Sequence, residues 1–164
     1  MNKAILKTQH MRGFTLIELM VTLSILAVIT LIATPSLASA LENQKLKQAA
    51  IDVKVALQNA RSQALLTSSQ QVVCAKTLSE STENCGAALK GYAQLSNQQK
   101  QQKIHVLELD ENVYLKSGSA TEFIFSSQGY TNQQTLTLCA TGRSYVITLY
   151  MPGHVDLTQG GACT

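Results

Sequence analysis

The sequence predicts an α+β protein in which one long N-terminal helix, membrane-spanning in its first half and amphipathic in its second, packs on an antiparallel β-sheet. Two observations carry this prediction. An apolar segment over residues 14–41 continues into an amphipathic pattern that ends near Ser68. After Ser68 the spacing of apolar residues changes from three or four to two. A helical pattern followed by strand–turn–strand segments is typical of an α+β domain.

The first half of the predicted helix is long enough to cross a membrane, because residues 14–41 exceed the roughly 20 apolar residues that a spanning helix needs. Lys3, Lys7 and Arg12 precede it without any acidic residue. Since positive charges stay on the cytoplasmic side, we expect the N-terminus inside and the remainder outside. Pro35 lies within the pattern and should kink the helix, because proline removes one backbone hydrogen bond.

The second half of the predicted helix carries one apolar stripe, with charged residues between its members. The stripe recurs at three- and four-residue steps and comprises Leu41, Leu46, Ala49, Ala50, Val53, Leu57, Ala60, Ala64 and Leu65. This spacing predicts an amphipathic helix that ends near Ser68. The small residues in the stripe allow a sheet to approach closely.

The remainder of the chain alternates between β-rich segments and turn-forming residues. Strands are predicted at residues 71–75, 91–95, 103–109, 113–115, 122–125, 135–139, 145–150 and 154–157. Loops are predicted at residues 79–86, 96–102 and 129–134 and at Gly118.

Glu18 is an acidic residue near the start of the apolar segment, where a carboxylate is costly because hydrocarbon cannot solvate it. A secretory signal peptide is one explanation of the segment, since Ala38-Ser39-Ala40 matches a cleavage pattern. However, the apolar run exceeds the usual core of about 7–15 residues, and Glu18 interrupts it. A plain single-span anchor gives no reason for Glu18.

The run Gly13-Phe14-Thr15-Leu16-Ile17-Glu18 resembles the processing site of type IV pilins and type II secretion pseudopilins. In that family a prepilin peptidase cuts after the glycine and methylates the new N-terminus. The resemblance implies a leader, residues 1–13, that ends at Gly13. It also implies that Phe14 is the N-methylated first residue of the mature chain and that Glu18 is the fifth. Pilins commonly have a proline where Pro35 stands.

This chemistry explains why a carboxylate is kept in an apolar segment. In a filament of packed helices, the amine of one subunit can lie against Glu18 of its neighbour, and the two charges attract strongly in a low-dielectric setting. Such a pair would favour assembly and set the axial register. The alternative is that Glu18 merely extends to the lipid headgroups.

The basic balance of the chain depends on the leader. Three of the 13 basic residues lie there, so the mature chain has 10 basic and 10 acidic residues. A general argument from basicity for binding nucleic acid or anionic lipid therefore fails.

The segment after the helix has four cysteines, and an even number on the exported side of a membrane suggests two disulfides. Three connectivities are possible. We favour the two local closures, Cys74–Cys85 and Cys139–Cys163, over a zinc site, because no metal-ligand spacing is present.

The C-terminal half resembles the GspH/FimT group of minor pilins and pseudopilins. The similar stretches are Phe123-Ile124-Phe125-Ser126-Ser127-Gln128-Gly129-Tyr130, then Leu136-Thr137-Leu138-Cys139, then Gly153-His154-Val155. The resemblance implies a low-abundance subunit near the filament tip that helps to initiate assembly. Related members bind DNA through basic residues around the final motif. Here His154 replaces the expected arginine and Arg143 is the only arginine or lysine after Lys116, so a DNA receptor is the weaker alternative.

The expected organisation is a leader over residues 1–13, a membrane and filament-core helix over 14–40, its amphipathic half over 41–68 and a β domain over 69–164. The implied partners are other pilins or pseudopilins through helix packing, the prepilin peptidase and the inner membrane before assembly. We expect a single pass with a periplasmic globular domain, followed by incorporation into a pilus. A type II secretion pseudopilin shares all these features. No catalytic constellation and no cofactor site is predicted, and His105 is predicted to face solvent.

Overall fold

The computed structural model describes residues 13–77 and 85–163, without the side chains of residues 32–35. Its first element, α1, is one helix over Leu16–Thr67 with 52 residues. The backbone divides into two compact units, one ending at Ala38 and the other covering Ser39–Thr164. Most of the predicted leader and loop 79–86 lie outside the described residues. The kink at Pro35 and the domain boundaries also stay predictions.

The first unit exposes its apolar side chains. Every large apolar residue described from Phe14 to Leu31 is more than half exposed, and a helix that is apolar all round is stable only when something covers it. Within the described residues no single helix passes a length and hydropathy test for crossing a membrane. The criteria are met only when two helical segments, Leu16–Leu31 and Ser36–Thr67, are taken together as a pair with a bend between them.

The second unit contains two small sheets. The first has three strands in the order β2-β1-β4, with β1 at Gln71–Lys76, β2 at Ile104–Glu108 and β4 at Glu122–Phe125. The second has four strands in the order β3-β5-β6-β7, with β3 at Tyr114–Leu115, β5 at Gln134–Ala140, β6 at Arg143–Leu149 and β7 at Val155–Gly160. The α+β class is confirmed. All pairs are antiparallel as expected except β1 and β2, which are parallel because the chain crosses over between them.

The segment that crosses over contains two helical turns that the sequence analysis assigned wrongly. The predicted strand 91–95 is a 3₁₀ helix over Tyr92–Gln94, which follows Gly91 in a left-handed conformation. The predicted loop 96–102 is α2, Asn97–Lys103. Ser96 caps this helix: its Oγ accepts from the Gln99 N–H, and Gln99 Oε1 accepts from the Ser96 N–H. This reciprocal cap supports a short polar helix without an apolar face.

The core of the second unit is the stripe of α1 packed against the sheets. Seven of the nine predicted stripe residues are buried; Leu41 and Leu65 are about half exposed, contrary to the prediction. The small side chains of α1 let β4 place Phe123 and Phe125 in the centre, both fully buried.

Two disulfides tie the second unit together. Cys74 on β1 is bonded to Cys85, with the two Cα atoms 6.1 Å apart. Cys139 on β5 is bonded to Cys163, with a Cα separation of 5.9 Å, and holds the segment after β7. These are the two local pairings favoured by the sequence.

Candidate functional site

The expected processing site lies just before α1. Residues 13–15 are not helical, and α1 begins at Leu16. Gly13 is exposed and Phe14 is 80% exposed. The peptide bond between Gly13 and Phe14 therefore lies outside the helix, next to exposed side chains. The short non-helical segment also separates this bond from the helix that follows.

Thr15 immediately precedes α1 and contacts Glu18 in the first turn of the helix. The Thr15 Oγ1 accepts a hydrogen bond from the Glu18 N–H at 3.3 Å. Thr15 and Glu18 therefore have the spacing of a capping pair, a threonine followed three residues later by a glutamate. A carboxylate in the first turn also interacts favourably with the positive end of the helix dipole. The sequence analysis missed this local role, although the T-x-x-E pattern signals it.

We call residues 14–40 the stem. Three of its described hydroxyl side chains, on Thr22, Ser24 and Thr30, donate to backbone carbonyls of the same helix. Thr22 and Ser24 donate to the carbonyls of Leu19 and Met20 at 2.9 Å and 2.8 Å. By contrast, the carboxylate of Glu18 has no side-chain partner among the described residues. Glu18 is also the only charged residue in the stretch 14–41. Within the described residues, the Glu18 carboxylate is therefore a charge in an apolar stretch without a side-chain partner.

The two residues proposed for weak DNA contact do not form one site. Arg143 begins β6 beside the hairpin turn, where it pairs with Ala140 of β5. His154 lies in the turn after the other end of β6 and stacks on Tyr150, with 6.1 Å between ring centroids. The length of the strand therefore separates them.

The structure instead places Arg61 of α1 next to His154. The two residues line one groove together with Gln58, Ser62 and Leu65 of α1. Gly153 makes this approach possible: a Cβ there would lie 2.6 Å from Arg61 Nε and 2.5 Å from the Gly129 carbonyl oxygen. The sequence analysis missed Arg61 because it reads as one more charge beside the apolar stripe.

The surroundings of two further polar residues, His105 and Asp110, shift their pKa values. His105 was predicted to face solvent, but it is half-buried and its Nε2 lies 3.1 Å from Oε1 of the buried Gln71. Burial lowers the pKa of His105. Asp110 accepts from the Asn112 backbone N–H and pairs with Lys45, and these contacts lower its pKa. Among the described residues no cluster of His, Cys, Asp or Glu could hold a metal ion.

Two family models match the chain. The prokaryotic N-terminal methylation motif matches residues 9–34, and type II transport protein GspH matches residues 49–153. A crystal structure of the type IV minor pilin FimU from Pseudomonas aeruginosa (strain PAO1) is similar, with a TM-score of 0.48 and 18% identity. The match covers 75% of this chain and 98% of that chain. No protein of curated function matches the sequence.

The GspH match covers more than half of the chain, and the methylation motif covers the candidate processing site and Glu18. The family consists of structural subunits of filaments and not of enzymes. The chain therefore belongs to the GspH family, and it is a minor pilin or pseudopilin of the GspH/FimT type with an N-terminal methylation motif.

Proposed function

We propose that this chain is a minor type IV pilin that takes part in pilus assembly near the filament tip. Residues 14–40 insert it in the inner membrane, with the N-terminus in the cytoplasm and the globular unit in the periplasm. A prepilin peptidase cuts between Gly13 and Phe14 and methylates Phe14. The methylation motif itself implies anchoring in the inner membrane and later incorporation into a filament.

The observation that carries this proposal is the lone carboxylate of Glu18 in an exposed apolar stem. Cleavage before Phe14 leaves a positively charged amine, and methylation keeps that charge. In a bundle of packed stems, the amine of one subunit pairs with Glu18 of the next. Each charge alone is expensive in hydrocarbon, whereas the pair gains strong Coulomb attraction there. The exposed apolar side chains of the stem are covered by the same packing.

The variant Glu18→Ala tests this mechanism. We expect it to insert in the membrane but to enter sheared filaments at least about tenfold less than the wild type, because it leaves the neighbour's amine unpaired. The amounts in membrane and filament fractions are measured by immunoblot.

Glu42→Ala is the matched control, since it removes the same charge from the same helix beyond the stem. It should be incorporated normally. Normal incorporation of Glu18→Ala would refute the pairing mechanism.

A second candidate is a minor pseudopilin of a type II secretion system, which is supported by the description of the matching family model as a type II transport protein. Deletion of the gene distinguishes the two. A pilin mutant loses pili and keeps secretion, whereas a pseudopilin mutant does the reverse. A filament-borne DNA receptor is less well supported, because Arg143 and His154 lie at opposite ends of β6.

A further inference from the structure

Three separate segments meet at the end of the globular unit where α1 finishes. They are the last turns of α1, the turn after β4 and the turn after β6. A Cβ on Gly129 would lie 3.0 Å from the Leu65 side chain, so the turn after β4 touches α1. Gly153, in the turn after β6, lies against both Arg61 and the Gly129 carbonyl. The three segments therefore form one continuous surface.

This surface is apolar, aromatic and exposed. We call it the helix-end patch and define it as Arg61, Leu65, Tyr130, Tyr150, Met151 and His154. Met151 is 64% exposed, Tyr130 56% and Leu65 49%. Large apolar patches of this kind mark interaction sites on soluble domains. Tyr, Met and Arg are the residue types enriched in the centres of protein–protein interfaces.

Arg61 gives the patch its charge. Its Nε is buried and has no hydrogen-bond partner, and no carboxylate in the described part of the chain pairs with it. The buried Nε faces Gly153 and is out of reach of a partner. The charge of the guanidinium is nevertheless uncompensated by any described carboxylate, so an acidic side chain of a partner would pair with it. No acidic residue belongs to the patch.

The opposite end of the same unit has the complementary charge. One groove there, between α1 and the end of β2 with the residues that follow it, is lined by Asp52, Glu108 and Asp110 and by one cation, Lys45. Lys45 pairs with Asp110 at 3.2 Å, which leaves two carboxylates in excess. Subunits built in this way can stack with unlike ends together, and such head-to-tail contacts propagate open filaments.

We propose that the helix-end patch binds the acidic end of the globular domain of a neighbouring pilin-type subunit. This inference rests on the proposed function, because it requires that the chain enter a filament. Nucleic acid fits the patch less well, since Arg61 and His154 supply too few cations for phosphate contacts. A lipid surface likewise requires more basic residues around the apolar side chains.

Site-specific photo-crosslinking in the cells that produce the protein tests the inference. A benzophenone amino acid is placed at Met151 of the full-length chain, and for comparison at Val106 on β2, which is also exposed. We expect cross-links from position 151, identified by mass spectrometry, to Asp- or Glu-containing peptides in the globular domain of a subunit with a pilin motif. Position 106 should give at least about tenfold less.

Two substitutions report on the contact itself. Met151→Asp changes only an exposed side chain and should lower the filament-bound fraction. Arg61→Glu should lower it at least about tenfold, while Arg143→Glu, the same charge change at the other end of β6, should leave it unchanged.

Each outcome decides between the proposals. Cross-links only to nucleic acid or lipid, or none while the chain is in filaments, would overturn the inference and leave the proposed function standing. Normal incorporation of both Met151→Asp and Arg61→Glu into filaments would also overturn the inference and leave the proposed function standing. Absence of the wild-type chain from filaments would overturn the proposed function and the inference with it.

Discussion

The helix α1 runs through two regions that differ in how far its apolar side chains are buried. In the stem, each large apolar residue described from Phe14 to Leu31 is more than half exposed. In the second unit, the same helix buries most of one stripe against two sheets, with Leu46, Val53 and Leu57 fully covered. The second unit has its own core, whereas the stem has none.

This difference shows where the chain depends on other molecules. A helix without an internal apolar partner must be covered by lipid or by other helices. Its one charge, Glu18, likewise has no side-chain partner among the described residues. The stem therefore relies on other molecules to cover its apolar side chains, whereas the second unit buries its own.

The largest expected effect contrasts one leucine from each region. Leu57→Ala should lower the free energy of unfolding of the second unit by about 3 kcal/mol, because it opens a cavity in a packed core. Leu23→Ala, in the stem, should leave that free energy unchanged, since Leu23 is exposed. Urea denaturation of the detergent-solubilised chain measures both. Equal effects of the two substitutions would break the comparison.

A smaller effect separates two glycines of the second unit that share a left-handed backbone. Gly153→Ala should lower the free energy of unfolding by about 2–3 kcal/mol. The new Cβ would meet the Gly129 carbonyl and Arg61, and alanine would strain the left-handed backbone. A Cβ at Gly142 would meet no atom within 4 Å, so Gly142→Ala should lower the free energy of unfolding by only about 1 kcal/mol. Thermal unfolding gives both values. A cost at Gly153 no greater than at Gly142 would show that the turn does not press on α1.

The smallest expected effect is a pH dependence confined to the second unit. Burial lowers the pKa of His105 in the folded state, so the unfolded chain binds the proton more readily. The neutral His105 side chain therefore contributes fully to the free energy of unfolding above the unfolded pKa of about 6.5. This contribution is lost as the pH falls towards the lower pKa of His105 in the folded state. His105→Gln should reduce the fall in the free energy of unfolding at low pH, measured by denaturation at several pH values. His154→Gln, at an exposed position, should leave this fall unchanged.

Much of the fold follows from patterns that are local in the sequence. The second half of α1 and all seven strands are visible as apolar spacing, because each packs one face or one stripe on a core. The first half of α1 is visible as a continuous apolar run. The N-terminal methylation motif and Glu18 are visible because a charge in an apolar run is conspicuous. Half-exposed Leu41 and Leu65 show the limit: spacing gives the face of a helix but not how far a sheet extends along it.

The remaining features depend on contacts that the sequence does not show. Residues 96–102 read as a polar loop because α2 has no apolar face and is supported by the Ser96 cap. The parallel pairing of β1 with β2 depends on the path of the whole connection. The placement of Arg61 against Gly153 joins distant segments through two turns, so no local pattern predicts it.

The most direct test of the account is the N-terminus of the mature protein purified from filaments, determined by sequencing and intact mass. The account predicts that the chain begins with N-methylated Phe14 and keeps the entire stem. A chain that begins at Leu41, after the Ala38-Ser39-Ala40 pattern, would lack both the stem and Glu18 and would contradict it.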